Sequence, residues 1–241
     1  MRMPARLACA FLFLCVTAAP AFSEDLAKLL IAAELGDVCA LYTLGTLCEN
    51  GDGMAQNYEA ARRFFERAAE QGDVRAQQKV GDMYLLGYGA EKDYAKARQW
   101  LEKAAAKGDV AACRDLGILY GEGLGVPLDF AAAAKWFEKA AEQGDAESQY
   151  SLGNIYGRGG SGVIQNRAAS IAWYEKAAAQ KHLRAERALA RIYEKGDGVA
   201  PDVEAAVRWY GLACAHGLQS DCDAITRLKS SAKPPAQAAK P

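Results

Sequence analysis

The sequence predicts an all-α fold: a right-handed α-solenoid of about five helix-hairpin repeats, each 36 residues long. Three observations point there. The dipeptide Gly-Asp recurs at Gly36-Asp37, Gly72-Asp73, Gly108-Asp109 and Gly144-Asp145, 36 residues apart each time. Apolar residues recur within each interval at helical spacing. Alanine fills 50 of 241 positions, and with Leu, Glu, Lys and Arg it makes a helix-forming composition. The units are 36–71, 72–107, 108–143, 144–180 and 181–216, with partial units at both ends spanning a repeat region of 24–228. The fourth unit has one extra residue, in the turn Gly159-Gly160-Ser161-Gly162.

Residues 1–23 read as a secretory signal peptide. Arg2 and Arg6 precede an apolar run from Leu7 to Ala19, and small residues follow, so cleavage before Phe22 or before Glu24 stays open. The run is too short for the roughly 20 residues that span a bilayer. This predicts a secreted or periplasmic protein without a transmembrane segment after cleavage. Removing the leader takes Cys9 and Cys15 and leaves five Cys and a formal charge of −3.

Each repeat is taken column by column, with its leading Gly as column one. Column nine (Leu44, Val80, Leu116, Leu152, Leu189), column twelve (Leu47, Met83, Leu119, Ile155, Ile192) and column thirteen (Cys48, Tyr84, Tyr120, Tyr156, Tyr193) share a face with the small residues of column five. Column ten is Gly45, Gly81, Gly117, Gly153 and Ala190. A helical Gly costs about 1 kcal/mol against Ala, so its recurrence predicts a close helix approach there. Gly51-Asp52-Gly53, Gly87-Tyr88-Gly89, Gly123-Leu124-Gly125 and Gly196-Asp197-Gly198 end the first helix. No strand precedes them and no Lys-Ser/Thr pair follows, so they are not phosphate loops.

The second helix opens on Asn57, Asp93, Asp129, Asn166 or Asp202, all good N-caps. Column 29 is Phe64, Trp100, Trp136, Trp173 and Trp209, and column 30 is Phe65, Leu101, Phe137, Tyr174 and Tyr210. Aromatic stripes this regular are expected in the core. The next Gly-Asp then ends one helix and caps the following one. Residues 229–241 show no apolar period and are expected to form a flexible tail.

These residues resemble a known family. The pattern Ala-x-x-x-Leu-Gly-x-Leu-Tyr-x-x-Gly-x-Gly-Val, then a helix ending Trp-Phe-Glu-Lys-Ala-Ala-Glu-Gln-Gly-Asp, is similar to the Sel1-like repeat, related to the tetratricopeptide repeat. It is clearest over 112–126 and 136–145 and runs through nearly all of 25–228. The resemblance implies a non-catalytic scaffold for protein–protein interaction, in secreted bacterial members serving envelope processes or host interaction. It extends to the cysteine-rich Sel1-like proteins, which carry two Cys eight residues apart across a turn. That implies a disulfide between Cys214 and Cys222, for which the hairpin geometry and an oxidising compartment are suitable. Cys113 departs from this pattern, because its partner column holds Ala105. Cys39 and Cys48 share a helix, about 13 Å apart along it, and cannot bond each other. All three are expected as small buried apolar residues, with an intermolecular bond as the other reading.

Cysteine-rich relatives also raise an alternative: a weak β-lactam-binding or β-lactam-hydrolysing enzyme, or a regulator of a peptidoglycan enzyme. Ser230-Ser231-Ala232-Lys233 matches Ser-x-x-Lys but falls in the expected tail, and no Lys-Thr-Gly segment exists. His182 stands where other units have an Asp cap, and His216 at a helix end, where a cation is mildly favourable. Two His make a multi-His metal site improbable, and no cofactor is implied. The net charge of −1 argues against nucleic acid.

The partner is therefore expected to be a protein or peptide. Columns 4, 8, 11 and 15 of the first helices lie opposite the core stripe and vary between units. They supply Arg75, Lys79 and Asp82, then Asp115, Ile118 and Glu122, then Glu147, Asn154 and Arg158, then Arg184, Arg191 and Lys195. With Arg187, the last group forms a basic cluster suited to an acidic peptide.

Overall fold

The computed structural model describes residues 20–231. The expected leader lies outside the described residues up to position 19, together with Cys9 and Cys15. The described residues form twelve helices: α1 (Pro20–Glu34), α2 (Val38–Asn50), α3 (Tyr58–Glu70), α4 (Val74–Leu86), α5 (Tyr94–Ala105), α6 (Val110–Glu122), α7 (Phe130–Ala141), α8 (Ala146–Arg158), α9 (Arg167–Ala179), α10 (Leu183–Lys195), α11 (Val203–Ala215) and α12 (Gln219–Ser231). The even-numbered helices from α2 to α10 open the five repeats and the odd-numbered helices from α3 to α11 close them. This is an all-α, solenoid-like repeat fold. The helix α12 continues to Ser231, so residues 229–231 of the expected tail are helical, and 232–241 lie outside the described residues.

Local sequence sets the boundaries. Asp37, Asp73 and Asp145 cap α2, α4 and α8 by accepting the backbone N–H three residues on. Asn57, Asp93, Asp129, Asn166 and Asp202 do the same for the second helices. Gly51 and Gly87 terminate α2 and α4 in the left-handed region, φ 78° and 79°, which any side chain would strain. The amide of each second-helix cap also returns to the column-thirteen carbonyl: Asn57 to Cys48, Asp93 to Tyr84, Asp129 to Tyr120, Asn166 to Tyr156 and Asp202 to Tyr193. That bond closes every hairpin in the same way. In the longer fourth repeat the turn is pinched in addition by a Gly160–Val163 bridge.

The chain divides into two compact units, Met1–Ala112 and Cys113–Pro241. In the first, Leu41, Leu44, Phe65, Val80, Met83 and Leu101 are fully buried. In the second, Leu116, Leu119, Leu152 and Leu189 fill the same columns. The column-ten glycines do what the sequence predicts. A Cβ at Gly81 would lie 2.6 Å from Leu101, and one at Gly153 2.5 Å from the Tyr174 ring. The two aromatic columns separate, however. Column 30 is buried, whereas Trp100, Trp136 and Trp173 of column 29 are half-buried. Their outer faces carry Lys103, Lys139 and Lys176, with ammonium-to-ring distances of 3.7, 4.0 and 3.8 Å. The core expectation holds for column 30 and fails for the outer face of column 29, because an outermost helix face has nothing beyond it.

Cys214 and Cys222 are bonded, with Cα atoms 5.2 Å apart. Cys48 and Cys113 are buried as expected, and burial pushes the Cys48 thiol up. Cys39 is exposed, contrary to expectation. It sits in the first turn of α2, one residue before the buried Ala40, on the side turned away from the core.

Candidate interaction surface

The variable columns of the first helices are sorted by what they touch. In the first unit, Arg75 pairs with Asp73 at 2.8 Å and lies over the Tyr42 ring at 4.2 Å. Lys79 reaches Glu49 of the preceding repeat at 2.8 Å, and Asp82 accepts from Gln78. In the second unit, Ile118 packs against the apolar cluster that contains Leu152 and Ile155. It is therefore part of the core margin and not opposite the core. Asp115 is half-buried beside Arg114, and Glu122 is exposed.

Glu147 is a hub. It receives Arg184 at 2.6 and 2.7 Å and His182 Nε2 at 3.0 Å. The His182 ring stacks on Tyr150, and Arg184 lies over the same ring. His182 also caps α10 through Nδ1, as its position in the repeat predicts. Nδ1 accepts there, so Nε2 is the nitrogen that donates to Glu147. Arg187 is bound to the buried Asp221 at 3.0 Å and to Ser220 at 2.7 Å. Asn154 accepts from the Tyr174 hydroxyl at 2.9 Å. Arg158, Arg191 and Lys195 are exposed and enter no salt bridge among the described residues. The basic cluster thus divides. Arg184 and Arg187 join one repeat to its neighbour, and Arg191 and Lys195 face solvent.

Several ties were missed by sequence reasoning. Tyr84 donates to Glu66, and Tyr156 to Glu138, both at 2.7 Å. Each links column thirteen to column 31 of the repeat before. The hydrogen bond to Glu138, with burial, pushes the Tyr156 hydroxyl up to about 12. The signal was present, since Tyr and Glu recur together. Where Tyr gives way to Cys48, the preceding column-31 position is Leu30. His216 Nδ1 lies 2.8 Å from Glu186, which is only 1% exposed. Both histidines therefore pair with carboxylates.

No group of three or more His, Cys, Asp or Glu able to hold a metal occurs among the described residues. None of the described helices is long and apolar enough to cross a membrane. The Ser230 hydroxyl is bonded to the Arg227 carbonyl, and Lys233 lies outside the described residues.

The Sel1 repeat profile matches residues 40–73, 74–109, 110–145, 146–182 and 183–218. The chain belongs to the Sel1 repeat family. Its structure is similar to c5321, a protective antigen of uropathogenic Escherichia coli with this repeat fold, at 30% identity and TM-score 0.80. The match covers 88% of this chain and 45% of that one, so this Sel1 chain spans less than half the length of the antigen. A Sel1 repeat protein from Oxalobacter formigenes is similar at 27% identity and TM-score 0.71, over 85% of this chain and 89% of that one. Cysteine-rich protein B of Helicobacter pylori matches at 26% identity over 49% of this chain and 89% of that one, with TM-score 0.39. Among curated proteins none matches the chain.

Proposed function

We propose that this Sel1 repeat protein is an exported, secreted or periplasmic, non-catalytic scaffold for protein–protein interaction in envelope processes or host interaction. The observation that carries the reading is the division of labour within each repeat. Core columns nine and twelve hold aliphatic residues or Met throughout, while columns 4, 8, 11 and 15 of the first helices, half-buried to exposed, change from repeat to repeat. A frame held constant under a changing face suits recognition of another chain. The Cys214–Cys222 bond supports an oxidising compartment. The similar E. coli chain is itself a protective antigen, which fits an exported relative.

The test is capture. Purified full chain is crosslinked to an envelope extract, and captured proteins are identified by mass spectrometry. The control carries Arg158, Arg191 and Lys195 changed to Glu. The reading expects a partner captured by the native chain and depleted in the control. Absence of any enriched protein with the native chain contradicts it.

A further inference from the structure

The fourth and fifth repeats differ in one telling column. Column fourteen is Glu194 in the fifth repeat and Gly157 in the fourth. Glu194 is held from two sides: the Tyr210 hydroxyl donates to Oε2 at 2.7 Å, and Arg227 Nη2 donates to Oε1 at 2.7 Å. Arg227 stands in column eleven of the next helix, α12. One step earlier in the array, both partners are present again. Tyr174 is the counterpart of Tyr210, and Arg191, in column eleven of α10, is the counterpart of Arg227. Column fourteen of the fourth repeat supplies no carboxylate between them, because Gly157 has no side chain.

The groups around that position behave accordingly. Tyr174 gives its hydroxyl to Asn154. Among the described residues Arg191 is exposed and in no salt bridge, and so is Arg158, which follows Gly157 and is the counterpart of Lys195. Arg158 and Arg167 both act electrostatically on the Tyr174 hydroxyl, and Arg191 acts on that of Tyr210. Acids on neighbouring turns are engaged elsewhere: Asp197 binds Arg167 at 2.8 Å, and Glu194 binds Arg227. Arg191 and Lys195, four residues apart on one helix, repel each other, and a bound anion relieves that repulsion.

Gly157 sits against a second departure, although the third repeat carries Gly121 in the same column over Ala133. A Cβ at position 157 would lie 2.8 Å from Ser170 Oγ, which is bonded to the Gly153 carbonyl at 2.7 Å. Column 26 holds Ser170 only in this repeat; elsewhere it is Ala61, Ala97, Ala133 and Ala206. Glu194 with Ala206 in the fifth repeat thus becomes Gly157 with Ser170 in the fourth.

We propose that the step from α8 to α10 binds an acidic segment of a partner protein, with Arg191 and Arg158 taking a side-chain carboxylate in the role that Glu194 fills one repeat later. Arginine suits this because its planar guanidinium meets a carboxylate through two parallel hydrogen bonds. Lys195 and the Asn154 amide supply further donors beside it. The proposal rests on the scaffold reading and gives its partner a chemistry.

The probe is fluorescein-labelled hexaglutamate with an amidated C-terminus, titrated with full chain in about 50 mM salt. Amidated hexaglutamine is the control. Hexaglutamate is expected to bind and hexaglutamine not. Arg191→Ala should weaken binding about tenfold or more. The double change Gly157→Glu with Ser170→Ala copies the fifth repeat, supplies the acid internally, and should weaken it as much with an unchanged circular dichroism spectrum. Arg191 is exposed, so its Ala variant decides the matter even where the double variant folds poorly. Binding of hexaglutamate no better than hexaglutamine, or equal binding by native and Arg191→Ala chains, overturns the proposal. Capture from the envelope extract separates the two levels. A partner retained by Arg191→Ala leaves the scaffold reading standing and removes this site, whereas no partner for the native chain removes the reading itself.

Discussion

At position 153 a missing methyl group sets how closely two helices approach. The Tyr174 ring occupies the place of a Cβ, and in the first unit Leu101 does the same at Gly81. Gly153→Ala and Gly81→Ala should each lower stability by about 1–3 kcal/mol, from overpacking against groups that cannot move away; chemical denaturation measures this. A second prediction concerns alkali. Tyr156, Tyr174 and Tyr210 are pushed up to about 12, Tyr156 first by its bond to Glu138 and the other two first by burial. An unfolded Tyr ionises near 10, so the folded chain holds these protons more tightly. Their contribution is complete below about pH 10 and is lost as pH rises towards about 12. The thermal midpoint should fall across that window, and Tyr156→Phe should make the fall shallower. The glycine column was legible in the sequence because a helical Gly needs a reason. The Tyr–Glu bonds were not read, because they join residues 18 apart across two helices and only a repeat-to-repeat comparison reveals them.

At the scale of elements, every hairpin was legible, since caps and turn glycines act within a few residues. What eluded the sequence was the fate of individual side chains on the exposed face. Arg184, Arg187, Arg191 and Lys195 look alike in one dimension. Yet Arg187 finds Asp221 34 residues away, while the preceding repeat offers Arg191 no column-fourteen Glu, because Gly157 stands there. The terminal helix α12 gives the third prediction. It is fastened by the Cys214–Cys222 bond, by Arg187–Asp221 and Arg227–Glu194, and by Leu228 in an apolar cluster. Replacing both cysteines with Ala should cost about 2–3 kcal/mol by the loop-closure argument. Hydrogen exchange should show faster exchange in α12 and unchanged protection in α2–α5.

For the whole chain, net charge gives little guidance: at −1 it is almost neutral, and the surface chemistry is local. Five Sel1 repeats furnish one frame five times, and under the proposed function recognition rests on what varies on it. If a basic step on that frame takes an acidic partner, capture should weaken as salt rises from about 50 to 300 mM, since exposed charges are screened. The most direct measurement is photocrosslinking from chosen faces of the full chain in the envelope extract. A photoreactive phenylalanine derivative at Lys195, exposed on the first-helix face of α10, is compared with the same group at Ala172, exposed on α9. A partner adduct formed from position 195 and not from position 172 is the predicted result; adducts from 172 alone, or equally from both, would contradict recognition by the first-helix face.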